Sequence, residues 1–134
     1  MIKLSDEEAK KLLFFQQATG AAARDSVEVD GQVIFVVAKG EIGKAIGKQG
    51  KNIEILEKLL KKKIIVVEHS DDIKKFAENI FFPIKIDIEN HDRGITIKVD
   101  KKEKKYVIGK GGRKIKIARV LLKRHFDIDN IRVI

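Results

Sequence analysis

The sequence predicts an α+β protein built from two copies of one α-β-β-α-α-β unit, each a three-stranded sheet packed on helices. Three observations carry that prediction. The stretch Ile46-Gly47-Lys48-Gln49-Gly50-Lys51-Asn52-Ile53 returns as Ile108-Gly109-Lys110-Gly111-Gly112-Arg113-Lys114-Ile115, an offset of 62 residues. Five identities at about 7% each coincide roughly once in 10⁶ placements, so the repeat is not chance. Each stretch is preceded by two short apolar runs separated by turn residues, the pattern of a hairpin. Each hairpin is in turn preceded by a capped helix.

Taken in order, Ser5-Asp6-Glu7-Glu8 is a capping box, with Leu4 before it as a hydrophobic staple. Ala9, Leu12 and Leu13 predict the buried stripe of that helix, and Phe14 reads as core with them. Val27 to Val29 is a strand, Asp30-Gly31 a type I′ turn, and Val33 to Val37 the return. After the glycine stretch, Ile53, Ile55, Leu56, Leu59 and Leu60 keep helical spacing. Ile64 to Val67 closes the first copy. In the second copy Ser70-Asp71-Asp72 caps a helix with Ile73, Phe76, Ala77 and Ile80 as its stripe and Phe81 beside them. Pro83 stops it. Ile84 to Ile88 alternates with period two, Asn90 to Gly94 turns the chain, and Ile95 to Val99 returns. Ile115, Ile117, Ala118, Leu121 and Leu122 repeat the helix stripe, and Ile131 to Ile134 is the closing strand. The predicted domains are 1–69 and 70–134. No Pro/Gly/Ser linker separates them, which predicts two units held rigidly.

Composition narrows the function. The chain has 134 residues, 43% apolar and 37% charged, with a net charge of +9. It lacks cysteine, which excludes disulfide scaffolds, thiol catalysis and cysteine-based metal sites. No apolar run reaches the roughly 18 residues of a membrane span. Asp6, Glu7 and Glu8 do not fit a signal-peptide core, so the expected compartment is the cytoplasm, with no membrane partner. His69, His91 and His125 lack ligand spacing, and Ser5 and Ser70 already serve as caps. With no nucleophile–base constellation, the expectation is a non-enzyme with no catalytic residue, no metal and no cofactor. Residues 1–70 hold 12 Lys+Arg against 10 Asp+Glu, and residues 71–134 hold 17 against 10. A pI near 9.7 fits nucleic-acid binding, with plain solubility charge as the alternative.

The repeated stretch places a G-x-x-G turn between two helices. Glycine permits the tight turn and removes side chains that would hold a ligand away. The turn ends at a helix N-terminus, whose open N–H groups and positive dipole end suit a phosphate. Lys48 and Lys51 in one copy, and Lys110, Arg113 and Lys114 in the other, add formal charge. The physical reading is a clamp for a sugar–phosphate backbone; the structural alternative is a plain helix–helix turn. Ile42, Ile46, Val107 and Ile108 either floor a groove for bases or belong to the core. A helix-hairpin-helix reading fails because Lys110 stands where an apolar residue belongs, and a P-loop fails because Gln49 stands where Ser or Thr must hold magnesium. The run from Lys101 to Lys105 is a supporting contact or a solvated helix start, and Phe35 and Tyr106 either meet bases or, by default, belong to the core.

The constellation resembles the type II KH domain over nearly the whole chain. The resemblance implies clamping of single-stranded RNA by Ile46, Gly47, Lys48, Gln49, Gly50 and Lys51 in the first unit. In the second it implies Ile108, Gly109, Lys110, Gly111, Gly112, Arg113 and Lys114. The extra glycine, Gly111, implies a more flexible second loop. Two such units with almost no linker resemble the archaeal NusA-like transcription factors, which implies a nascent transcript as partner and a part in elongation, pausing or termination. The polymerase-binding N-terminal domain and S1 domain of bacterial relatives have no counterpart here, so RNA polymerase is implied less directly than RNA. Two other expectations from KH proteins are a ribosome-associated role in small-subunit assembly and a protein-interaction module docking on RNA polymerase.

Overall fold

The computed structural model describes residues 2–134. The chain divides into two compact units, 2–70 and 71–134. The first begins with helix α1 (Asp6–Thr19), whose capping box forms as the sequence predicts. The Glu8 N–H donates to Ser5 Oγ at 3.1 Å, and the Ser5 N–H donates to Glu8 Oε1 at 3.0 Å. Gly20 ends the helix in the left-handed conformation.

Strands β1 (Ala23–Val29) and β2 (Gln32–Val37) pair antiparallel across Asp30 and Gly31. Both turn residues have positive φ, as a type I′ turn requires. A bulge between Ala23 and Asp25 breaks the register of β1. Two helices follow, α2 (Ile42–Ile46) and α3 (Lys51–Leu60), and then strand β3 (Lys63–Glu68), which pairs parallel with β2. The sheet order β1-β2-β3 leaves β3 with a free edge.

The core of this unit lies between sheet and helices. Phe15 of α1, Val33, Phe35 and Val37 of β2, Ala45 of α2, Leu56 of α3 and Ile64 of β3 form one buried cluster. Phe15 and Phe35 stack with ring centroids 4.2 Å apart. The α1 stripe therefore differs from the sequence reading. Leu13 is 55% exposed, Ala9 and Phe14 are also exposed, and Phe15 is the buried anchor. Leu12 to Phe15 is an unbroken apolar run, so periodicity alone does not fix the phase. In α3, Ile55 and Leu59 share an exposed face and Leu56 alone is fully buried.

The second unit repeats the element order. Helix α4 (Ile73–Phe81) is capped by Asp72, two residues after Ser70, and buries Phe76, Ala77, Ile80 and Phe81. Strands β4 (Asp87–Asn90) and β5 (Gly94–Lys98) form the hairpin. The predicted strand over Ile84 to Ile88 starts later than expected. The ladder ends at the Asp87–Lys98 pair, so Ile84, Lys85 and Ile86 precede it. Helices α5 (Lys104–Ile108) and α6 (Arg113–Phe126) precede strand β6 (Asn130–Val133), which pairs parallel with β5 and is an edge strand of the sheet β4-β5-β6. All five apolar positions expected on α6, Ile115, Ile117, Ala118, Leu121 and Leu122, are buried. Arg93 and Lys123 both pair with Asp127 and Asp129, fastening the hairpin turn to the end of α6.

Candidate nucleic-acid interface

The two glycine loops have nearly the same backbone. Gly47 has φ 79° and ψ 171°, and Gly109 has φ 81° and ψ 165°. Each is followed by one turn of 3₁₀ helix, Lys48–Gly50 or Lys110–Gly112. The Gly50 N–H donates to the Gly47 carbonyl at 3.1 Å, and the Gly112 N–H donates to the Gly109 carbonyl at 3.0 Å. Gly50 and Gly112, both left-handed at φ 74°, are the N-caps of α3 and α6. Neither cap supplies a side-chain acceptor; the Lys51 and Arg113 N–H groups donate back to the Lys48 and Lys110 carbonyls, and the N–H groups that follow them at each helix start have no side-chain cap.

The first glycine of each loop is fixed by close approach as well as by φ. A Cβ on Gly47 would stand 2.7 Å from Asn52 Cγ, and one on Gly109 would stand 2.7 Å from Lys114 Cβ. The Asn52 amide also donates to the Lys44 carbonyl at 2.8 Å, tying α3 back to α2. At the second glycines, Gly50 faces open space and a Cβ on Gly112 would meet only Ile115 Cγ2 at an ordinary 4.0 Å, so both serve conformation. Between them, Gln49 takes a left-handed conformation at φ 56° and ψ 30°, and Gly111 takes the same one at φ 63° and ψ 20°. The extra glycine of the second loop therefore sits where an L-residue is strained.

Lys48, Gln49, Lys51, Lys110, Gly111 and Arg113 are exposed, and Gly47, Gly50, Gly109, Gly112 and Lys114 are half-buried. Among the described residues Lys48, Lys51, Lys110 and Arg113 take part in no ion pair. Their charge is uncompensated and sits beside a positive helix end, an arrangement that suits an anion. Ile46 is 37% and Ile108 38% exposed, whereas Val107 is buried. The two isoleucines are therefore available to a ligand, and the valine belongs to the core. Phe35 is core, but Tyr106 is not: its ring is 56% exposed, with the Lys105 ammonium 5.0 Å from its centroid.

Beside the first loop, a concavity of about 350 Å³ lies between α3 and the free edge of β3. Ile46, Gly50, Ile53, Glu54, Glu57, Ile64 and Val66 line it. In the second unit a concavity of about 320 Å³ lies between α6 and β6, lined by Arg119, Val120, Lys123, Ile128, Asp129 and Ile131. The charged wall residues, Glu54, Glu57 and Arg119, escaped the sequence reading. Their spacing from Gly50 and Gly112, four and seven residues along the helix, was the signal that could have found them. Among the described residues no helix is long and apolar enough to cross a membrane, and no three His, Asp or Glu side chains group to hold a metal.

Fold and loops together define a class of protein, and comparison with known proteins gives the same one. The family model of the KH domain matches residues 9–81, from within α1 to the end of α4. Similar proteins bear the name probable transcription termination protein NusA. The protein of Methanocaldococcus jannaschii is 36% identical over 99% of this chain and 75% of its own. That of Halococcus morrhuae is 35% identical over 98% of both chains. The crystal structure of APE1850 superposes with a TM-score of 0.86 at 32% identity, covering 98% of this chain and all of that one. The chain belongs to the KH domain family, in the branch of the archaeal NusA proteins.

Proposed function

We propose that the chain is a binding protein, not an enzyme, that holds single-stranded RNA through both glycine loops and acts in transcription elongation or termination. The observation that carries this reading is the duplicated loop: two matched backbones, each with uncompensated cations at a helix N-terminus that has no side-chain cap. A KH loop of this form clamps about four nucleotides by their backbone. On this reading residues 71–134 form a second KH unit beside the matched one. Two loops in one chain then reinforce each other through effective concentration. The names of the relatives point to the nascent transcript as the RNA, with RNA polymerase as the neighbouring machine.

Charge reversal tests the reading. Lys48→Asp with Gln49→Asp disables the first loop, and Lys110→Asp with Gly111→Asp the second. All four positions are exposed, and Asp tolerates the left-handed conformation of Gly111, so circular dichroism is expected to be unchanged. Fluorescence anisotropy with a single-stranded RNA 12-mer, the same DNA and duplex RNA should show single-stranded RNA bound tightest and weakened by each pair of changes. Equal binding of all three, unaffected by the changes, would reduce the interaction to net charge.

A further inference from the structure

The two loops share one backbone, but the helix walls that follow them carry opposite charge. Glu54 and Glu57 stand four and seven residues after Gly50, and Lys116 and Arg119 stand four and seven residues after Gly112. Across the whole helix, α3 holds two lysines and two glutamates, whereas α6 holds six lysines and arginines and no acidic residue. The edge strands are equivalent as well: Ile64 pairs with Val33 of β2, and Ile131 pairs with Ile95 of β5. The two concavities thus share one edge-strand position, Ile64 or Ile131, and one helix position of opposite charge, Glu57 or Arg119.

Hydrogen bonding sharpens the contrast. Glu57 Oε2 accepts the Ile64 N–H at 3.0 Å, so in the first groove an outward-facing donor of the edge strand is already taken by a carboxylate. Glu54 pairs with exposed Lys58 at 3.4 Å. In the second groove Lys123 is held by Asp127 and Asp129, and these carboxylates are held in turn by Arg93. Among the described residues Arg119 has no ion-pair partner, so its guanidinium donors remain to be used. The first groove therefore offers acceptors and the second offers donors.

We propose that Glu57 and Arg119, at the same position of the two repeats, give the grooves opposite base preferences: cytosine over uracil in the first, uracil over cytosine in the second. This rests on the RNA-binding reading above. The two pyrimidines have the same size and stack weakly, and they differ in one group. Cytosine presents an N4 amino donor where uracil presents an O4 acceptor. A carboxylate accepts from the amino group and repels the carbonyl oxygen. A guanidinium donates to the carbonyl oxygen and meets the amino group donor to donor.

The test uses the full chain with one loop silenced at a time and single-stranded C8 and U8 RNA as probes. With Lys110→Asp and Gly111→Asp in place, the first unit should bind C8 about fivefold or more tighter than U8, the discrimination of one modest base-edge contact. With Lys48→Asp and Gln49→Asp in place, the preference should reverse. Adding Glu57→Arg to the first chain, or Arg119→Glu to the second, should invert each ratio. Glu57→Arg also removes the cap on the Ile64 N–H, so Glu57→Gln is the control that keeps an acceptor there; it should bring the ratio toward one with the fold intact. The same C8:U8 ratio in both single-loop chains, or ratios unmoved by the exchanges, would overturn the inference. If the chain with both loops reversed still binds like the wild type, the loop reading falls and this inference with it. Loss of binding there with unmoved ratios overturns this inference alone.

Discussion

The Asn52 side chain lies directly against Gly47, so that a Cβ on the glycine would stand 2.7 Å from Asn52 Cγ and 3.0 Å from the Asn52 backbone nitrogen. One residue pair thus fixes both the loop entry and the start of α3, because the same asparagine bonds the Lys44 carbonyl. Gly47→Ala must relieve that overlap and also strain a φ of 79°. A loss of about 2–3 kcal/mol is expected in urea denaturation. Gly50→Asn, at a left-handed position with open space, should cost under about 1 kcal/mol. Similar costs at both glycines would mean that close approach plays no part.

Gln49 and Gly111 give a second, opposite expectation. Both are left-handed, but only the first pays for a side chain there. Gln49→Gly should stabilise the fold by up to about 1 kcal/mol, and Gly111→Gln should destabilise it by a similar amount. The sign of the pair, read by chemical denaturation, checks the assigned loop backbone. Destabilisation by Gln49→Gly would contradict it.

The Phe15–Phe35 stack separates the observed phase of α1 from the one its sequence suggests. Phe15→Ala removes a fully buried ring from the sheet–helix core and should cost about 3–5 kcal/mol. Leu13→Ala, at an exposed position, should change stability by less than about 0.5 kcal/mol. Comparable losses at both would restore the Leu13 stripe.

That contrast shows what was legible beforehand. The element order was, because hairpin alternation, the Ser5 cap and the repeated glycines each have a local physical cause. The loop geometry was as well, since two glycines around two residues dictate it. The phase of α1 was not, because four apolar residues in a row fit every phase. The start of β4 was not, because alternation over Ile84 to Ile88 marks extended chain but not where its cross-strand partner ends, which is at the Asp87–Lys98 pair. The exposure of Tyr106 and the groove walls at Glu57 and Arg119 were not, because charge and aromaticity do not say which side of a helix faces a cleft.

Glu28 gives a pH expectation. Hydrogen bonds from Lys62 and then Lys11 hold its carboxyl below the ordinary value of 4.5. A depressed folded-state pKa contributes stability that is complete above the unfolded value and is lost as pH falls through the folded one. The three side chains are partly exposed, so the contribution is screened to under about 1 kcal/mol. Glu28→Gln should therefore lower stability at pH 7 slightly and flatten its decline below pH 4.5. An unchanged acid limb in thermal melts would contradict the pairing.

The central claim is that uncompensated cations on two matched loops clamp an RNA backbone, and salt dependence measures this most directly. Affinity for a single-stranded RNA 12-mer should fall with salt at a log–log slope near −3.5, the value for roughly five neutralised phosphates. Reversing charge at Lys48, Gln49, Lys110 and Gly111 together should abolish tight binding and flatten what slope remains. The same affinity and slope in the reversed chain would place the RNA elsewhere on the protein and contradict the account.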